Sequence, residues 1–435
     1  MKRRHILILP LCLLILVLPW QAQAILEIRI TQGVEGALPI AIAPFAWQGP
    51  AGAAVPEDIA GIVAADLVRS GQFSATPESE FPQAAVMGKP IYYKAWRGRE
   101  VDYLVVGRLV EQGADRFLVQ FQLLDTVQQR QVIGYSIPAD RAALRRAAHQ
   151  ISDYIYEKLI GQRGAFNTRV AYVTTEKTPQ GRQHALQIAD SDGYNPRTMR
   201  RSALPLMSPA WSPDGRRIAY VSFEDQRPAV FVQDIATAQR QLISKRKGIN
   251  GAPAWSPDGN RLALTLSESG NPEIYVYDLR SKALTRLTQN RSIDTEPVWM
   301  PDGRSILFTS DRSGSPQIYR VGAGGGRAER VTFQGDYNAD AAVSPDGKKI
   351  AVVHGSQGVF RIAVLELESG LVRVLTRGRL DEAPSFAPNG SMIIYATEER
   401  GRGVLAAVSE DGRVHQTLIL QEGEVREPNW APFSD

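Results

Sequence analysis

Pro209-Ala-Trp-Ser-Pro-Asp-Gly215 returns unchanged as Pro253-Ala-Trp-Ser-Pro-Asp-Gly259. Altered copies follow as Pro297-Val-Trp-Met-Pro-Asp-Gly303, Ala341-Ala-Val-Ser-Pro-Asp-Gly347 and Pro384-Ser-Phe-Ala-Pro-Asn-Gly390, and a truncated one as Pro428-Asn-Trp-Ala-Pro432. The slot held by Trp211, Trp255, Trp299, Val343, Phe386 and Trp430 advances by 44, 44, 44, 43 and 44 residues. A period of about 40–50 residues made of short strands is that of a β-propeller blade. Four strand-like stretches fill each period, clearest at 209–211, 217–222, 229–234 and 240–244. The Pro-Asp-Gly between the first two is a turn with a cause. Proline presets φ, the aspartate caps the local backbone, and glycine takes positive φ without strain.

Closure of the ring can be read from the repeat as well. The region opens with Arg169-Val-Ala-Tyr-Val173, which matches the second strand Arg217-Ile-Ala-Tyr-Val221, and no Pro-x-Trp precedes it. Pro428-Asn-Trp430 supplies the missing first strand. The expectation is a six-bladed ring over residues 164–435 whose last strand is the innermost strand of its first blade, so that blade packing buries the broad faces.

Upstream of the repeat, residues 25–163 show no 44-residue period and read as a small α/β domain of ordinary size. Residues 38–44 form a buried strand, and residues 57–70 a helix with acids in its first turn and Gly71 as its stop. Residues 103–111, 117–126 and 131–138 are successive strands, and residues 141–160 a second helix ended by Gly161. Gly161-Gln-Arg-Gly164 reads as a linker.

The first 24 residues look like a secretory signal. Met1-Lys-Arg-Arg4 is a charged start, residues 6–20 are mostly apolar, and Ala22-Gln-Ala24 is a small-residue cleavage site. Cleavage after Ala24 removes three of the 50 Lys and Arg and none of the 46 acids, so a formal charge of +4 falls to +1. That balance argues against nucleic acid or an anionic membrane as partner. Cys12, the single cysteine, leaves with the signal. The exported product then has no disulfide, no lipid-anchor cysteine and no second apolar run long enough to span a membrane, which points to the periplasm.

Catalytic constellations are scarce. His149, His184, His354 and His415 have no ligand neighbour at helical or hairpin spacing, so no metal site is expected. Gly355-Ser-Gln-Gly358 reads as a hairpin turn rather than a nucleophile elbow, and Gly322-Ala-Gly-Gly-Gly326 as a turn between strands rather than a phosphate loop. Trp-Ser-Pro-Asp-Gly blades also resemble those of prolyl-oligopeptidase-type hydrolases. No hydrolase domain is expected beyond the closing strand.

The repeats differ most just before Pro-x-Trp. These triplets, expected in loops leading to the innermost strands, gather around one mouth of the channel. Met207, Ile249 and Ala252 give an apolar sector there, whereas Asp294, Glu296, Asp340, Asp381 and Glu382 give an acidic one. A mixed rim around an apolar centre suits a protein partner. The same carboxylates could hold Ca²⁺ weakly, and no other cofactor is expected.

Taken together, the exported α/β domain, Glu57-Asp-Ile-Ala-Gly-Ile-Val-Ala-Ala-Asp-Leu67, Pro205-Leu-Met-Ser-Pro-Ala-Trp211, Asn250-Gly-Ala-Pro253, Thr295-Glu-Pro297 and Leu380-Asp-Glu-Ala-Pro384 resemble the TolB family of the Tol-Pal system across nearly the whole mature chain. The resemblance implies a non-enzymatic periplasmic scaffold that supports outer-membrane integrity and invagination during division. It implies binding of the peptidoglycan-associated lipoprotein Pal at the propeller mouth, through Met207, Ile249, Asn250, Ala252, Thr295, Glu296, Asp340 and Asp381, and exploitation of that surface by bacteriocins. It further implies contact with TolA through the N-terminal segment, whose residues Ile25, Leu26, Glu27, Ile28, Arg29 and Ile30 alternate like a strand. Residues 25–36 are read as a mobile regulatory segment. Charge reversal at Glu296 or Asp340 is expected to weaken partner binding without unfolding the ring. The alternative is a periplasmic enzyme or small-ligand binder that uses the central channel.

Overall fold

The computed structural model describes residues 26–32, 36–50, 52–113, 115–420 and 423–433. The signal, its cleavage site and Ile25 lie outside the described residues, as do residues 33–35 of the N-terminal segment.

Six antiparallel sheets form the propeller, five of four strands and one of five. Blade two shows the plan, with Leu206–Trp211 innermost, then Arg217–Ser222, Ala229–Asp234 and Arg240–Ser244. The C-terminal strand Glu424–Trp430 pairs with Arg169–Thr178, so blade one is built from both ends of the repeat region and the ring closes as expected.

Each Ser-Pro-Asp-Gly turn is held the same way. Asp214 Oδ1 accepts from the Ser212 hydroxyl at 2.5 Å and from the Arg216 N–H at 3.0 Å, and Gly215 sits at φ 64°. The tryptophans pack between blades. Trp211, Trp255 and Trp299 are 5–8% exposed, and their indole N–H groups donate to the carbonyls of Asn429, Ala210 and Ala254 on the preceding blade at 3.0–3.2 Å. The arginine that starts the second strand of that preceding blade covers each ring: Arg169 over Trp211, Arg217 over Trp255 and Arg261 over Trp299, at 4.6–4.9 Å from the ring centres. Where Val343 replaces the tryptophan, Ser305 stands in the arginine's place.

The N-terminal domain is a mixed sheet in the order Phe73–Ala75, Leu38–Ile42, Tyr103–Glu111, Arg116–Asp125, Arg130–Asp140, with Ala46–Gln48 also paired on Tyr103–Glu111. Strand alternation splits its side chains between two cores. Val105 and Leu109 meet the helices α1 (Ile59–Arg69) and α3 (Leu144–Ile160), while Leu104 and Val106 meet Trp96 of the short helix α2 (Tyr93–Arg97). Two expectations need correction. α1 starts at Ile59 with Asp58 as its N-cap, so no acid lies in its first turn. The second helix opens with a 3₁₀ turn over Arg141–Ala143. Ala46–Gln48, Phe73–Ala75 and α2 carried no signal strong enough to be expected.

The domain rests on the face of the ring that carries the Ser-Pro-Asp-Gly turns, at blades six and one. Asn389 of the blade-six turn donates to the Arg163 carbonyl, and the Arg163 guanidinium covers Phe433 at 3.9 Å. The stretch 161–164 is therefore pinned rather than loose. The opposite mouth is left uncovered by the N-terminal domain.

The strand Leu26–Gln32 pairs antiparallel with His415–Leu420, adding a fifth strand to the outer edge of blade six. By pairing, these residues belong to the propeller, not to the α/β sheet with which the sequence groups them.

Candidate functional site

The triplets before Pro-x-Trp lie within the innermost strands, not in loops before them, except that Asp381 stands just ahead of its strand Glu382–Phe386. In every blade the pairing of that strand with its neighbour breaks for two residues, as between Met207 and Ala210. The first residue of each break has left-handed backbone: Ser208, Ala252, Glu296, Asp340, Ala383 and Glu427, with φ of 46–53°. A bulge residue in this conformation is ordinarily glycine, and none of the six is. These residues line a central channel of about 520 Å³.

Carboxylates at this level bridge neighbouring blades. Glu296 accepts from the Asp340 N–H at 2.9 Å and from the Thr309 hydroxyl at 2.7 Å. The Asp340 carboxyl takes the Ala383 N–H, and Glu427 takes the Ser208 N–H. Burial, reinforced by the charges of Glu296 and Glu427, pushes the Asp340 carboxyl well above its usual range despite the Ala383 N–H. Burial likewise lifts Glu427 to about 7, against the hydrogen bond from Ser208. Charge reversal at Glu296 would therefore tear a seam between blades four and five, so the expectation of a binding effect with an intact ring is withdrawn.

Three predicted contact residues are structural. Asn250 is 1% exposed; it accepts from the Ser244 hydroxyl at 2.6 Å and the Arg246 N–H at 2.8 Å, and donates to the Arg246 carbonyl. Asp294 is fully buried in a two-pronged pair with Arg312 at 2.7–2.8 Å. Asp381 is 1% exposed and accepts from the hydroxyls of Thr376 and Thr397. Asn250 and Asp381 staple the connection leading from one blade to the next, Asp294 ties its strand to the turn carrying Arg312 within blade four, and all three are closed to a partner.

Met207, Ala252, Glu296, Asp340 and Glu382 line the channel, Ile249 is exposed beside Asn250 at the blade connection, and Thr295 is half-buried with its hydroxyl beside that of Thr265; Met207 and Ile249 are 40% and 46% exposed. The sequence reading missed three further apolar side chains in the blade connections on this face: Ile293, Phe333 and Leu380, at 48%, 73% and 41% exposure. A signal for two of them existed. Ile293 and Leu380 directly precede Asp294 and Asp381, as Ile249 precedes Asn250, so one outward apolar residue accompanies each buried staple. The apolar rim thus extends into the sector expected to be acidic.

Residues 156–434 match the TolB beta propeller domain, and residues 26–132 match the TolB amino-terminal domain. The chain belongs to the TolB family. It is 70% identical over 426 residues to the Tol-Pal system protein TolB of Thioalkalivibrio sulfidiphilus, covering 98% of both chains. It is 52% identical over 426 residues to that of Xanthomonas oryzae pv. oryzae, covering 97% of both. The crystal structure of TolB from Acinetobacter baumannii superposes with a TM-score of 0.86 at 43% identity, over 94% of this chain and all of that one. The TolB assignment agrees with the fold: a small α/β domain on one face of a six-bladed ring, the other mouth open. Among the described residues no helix is long and apolar enough to cross a membrane.

Proposed function

We propose that this TolB-family protein is a non-enzymatic periplasmic scaffold of the Tol-Pal system that binds the lipoprotein Pal across the open propeller mouth. The observation that carries the reading is the rim of Met207, Ile249, Ile293, Phe333 and Leu380 on the face the N-terminal domain does not cover. Exposed apolar side chains gathered on one face of a folded domain mark a protein-binding surface. In this reading TolA engages the segment that begins at Ile25 and continues as the strand Leu26–Gln32. That strand is held to the ring's edge by a ladder to His415–Leu420, an arrangement that can be undone without disturbing the blade behind it. Bacteriocins would compete with Pal for the mouth, and the whole assembly would support outer-membrane integrity and division.

Ca²⁺ in the channel is the part with least geometric support. Glu296, Asp340 and Glu427 are each occupied by a backbone N–H of the next blade, and calorimetric titration with Ca²⁺ reads this directly. The deciding experiment is capture of Pal from a periplasmic extract by the mature protein, followed by calorimetry with purified Pal. Recovery of Pal that Met207→Glu and Ile249→Glu reduce supports the scaffold; no recovery, or turnover of a small molecule blocked by filling the channel, sinks it.

A further inference from the structure

The N-terminal domain meets the ring through a buried ionic cluster that the scaffold role does not use. His149 on α3 is 2% exposed. Its Nδ1 lies 2.7 Å from Asp66 Oδ2 of α1, and its Nε2 points at Asp192 Oδ2, in the blade-one turn, from 3.7 Å. Arg69 pairs with Asp66 at 2.9 Å and donates to the Ser191 hydroxyl at 3.1 Å. Arg145 pairs with Asp192 and covers the Tyr194 ring at 4.0 Å. Asp153 of α3 accepts the N–H groups of Phe166 and Asn167, where the chain passes into the ring. Asp190 and Arg169 complete the charged surroundings on the ring side.

His149, Asp190 and Asp192 bring possible ligand atoms within 4.8 Å of one another, but the cluster suits a proton better than a metal. Asp192 is already taken by Arg145 and by the Tyr194 N–H, and an added cation would face the guanidiniums of both Arg145 and Arg69. The imidazole itself shows the need for a proton. Nε2 is buried with no hydrogen-bond partner. If the single proton of a neutral imidazole sits on Nδ1 toward Asp66, the Nε2 lone pair faces a carboxylate oxygen and repels it. A second proton turns that repulsion into attraction across the domain boundary.

We propose that His149 is a proton-dependent latch between the N-terminal domain and blade one, closed when the imidazole is charged between Asp66 and Asp192 and loosened when it is neutral. Its reach extends past the two helices. The carbonyl of Arg69, one turn beyond Asp66, accepts from Gln416 on the strand that carries Leu26–Gln32. Opening the latch therefore loosens the footing of the N-terminal strand as well.

Burial disfavours a charge on His149, and Arg69 adds to that. The charge and hydrogen bond of Asp66, with the charge of Asp192, outweigh both and raise the imidazole above 6.5. A folded value above the unfolded one means that the latch stabilises fully below about pH 6.5 and is lost as pH rises through the folded value.

The test is a proton NMR titration of the histidine rings in the mature protein, with His149→Gln identifying the signal and Asp192→Asn removing the charge of the ring-side partner, and with it the pairing of Arg145. Amide exchange of Ser191–Tyr194 and His415–Leu420, corrected for its intrinsic pH dependence, is followed alongside. The expected result is a His149 midpoint above 6.5 that moves down in Asp192→Asn, with protection of both stretches falling across the same pH range in the parent and flat in His149→Gln. A midpoint at or below 6.5 overturns the proposal. So does a midpoint that Asp192→Asn leaves in place, or protection that tracks pH equally in parent and His149→Gln. Should His149→Gln fail to fold, the Asp192→Asn comparison decides alone. A parent midpoint displaced by stoichiometric Zn²⁺ would overturn the preference for a proton.

Discussion

Replacing Glu427 by Gln should stabilise the ring at alkaline pH and leave it unchanged in acid. The carboxyl is enclosed where the C-terminal strand meets blade two, and it accepts the Ser208 N–H. Glutamine keeps a side-chain oxygen for that bond without carrying a charge. Enclosure lifts Glu427 from the ordinary 4.5 to about 7. Between those values the folded chain holds a proton that the unfolded chain has released. This group's stabilisation is thus complete below about pH 4.5 and declines as pH rises through about 7. At about 1.36 kcal/mol per pH unit the decline totals about 3 kcal/mol. Glu427 retains some contact with channel water, so this is an upper bound and a gap of about 1–3 kcal/mol is expected. Urea unfolding of both chains across acid to alkaline pH measures it; because the Glu427 charge also raises Asp340, its removal relaxes Asp340 as well and widens the gap in the same direction. The gap should be near zero in acid and open in favour of the glutamine variant as the solution becomes alkaline. A gap independent of pH, or a variant less stable in alkali, refutes the account of Glu427 as a buried acid held against its preference.

The same ring supports further measurements. Trp255→Ala removes an interblade side chain and its bond to the Ala210 carbonyl, and should cost about 3–5 kcal/mol in urea or thermal unfolding. Arg261→Met keeps the stem over Trp299 but loses the cation; a loss of about 1 kcal/mol is expected, and none would mean the stacking is incidental. Asp294→Asn leaves Arg312 without its two-pronged partner and should destabilise by about 3 kcal/mol; because Asp294 is closed to solvent, Pal affinity measured on the folded fraction should not change. Met207→Glu and Ile249→Glu, by contrast, should lower Pal affinity by about 1–4 kcal/mol each in calorimetry while leaving the unfolding midpoint in place.

The ring was legible because its signals are local and repeated. Ser212, Asp214 and Gly215 close a turn among themselves, so the same letters mean the same geometry in every copy. The closing strand could be inferred because Arg169-Val-Ala-Tyr-Val173 lacked an inner neighbour. The mouth was legible only in outline. Whether an acid before Pro-x-Trp faces a partner or the wall depends on its place relative to the bulge, and a bulge of non-glycine residues leaves no mark in composition. Asp294 and Glu296 are two residues apart, yet one is buried on Arg312 and the other lines the channel. The ionic cluster was invisible for another reason. Asp66, His149 and Asp192 lie on three segments far apart in the chain, and no spacing rule connects them.

The departures within the repeat are compensated across the ring. Blades four and five meet without the arginine–tryptophan stack, since Ser305 and Val343 hold those two places. At that junction the inner wall is tied by Glu296 to the Asp340 N–H, and at the next by Asp340 to the Ala383 N–H. The junctions of blades two with three and three with four have the stack, and their bulge residues Ser208 and Ala252 carry no carboxylate. Between blades four and five adhesion has thus moved from an aromatic layer near the turns to a carboxylate layer in the channel, whereas the blade one–two junction has both, the Arg169–Trp211 stack and the Glu427 bond to the Ser208 N–H. The consequence is chemical. The first layer does not titrate near neutral pH, whereas the second contains Asp340, which burial holds well above its usual range. Cohesion therefore changes with pH at two places in the ring, the blade one–two junction through Glu427 and the arc beneath Ile293, Phe333 and Leu380 through Asp340. A partner seated on that rim would feel the state of the seam below it, and one over Met207 that of Glu427 at the neighbouring Ser208 N–H, while one seated over Ile249 would rest on blades whose junctions carry the stack and no channel carboxylate.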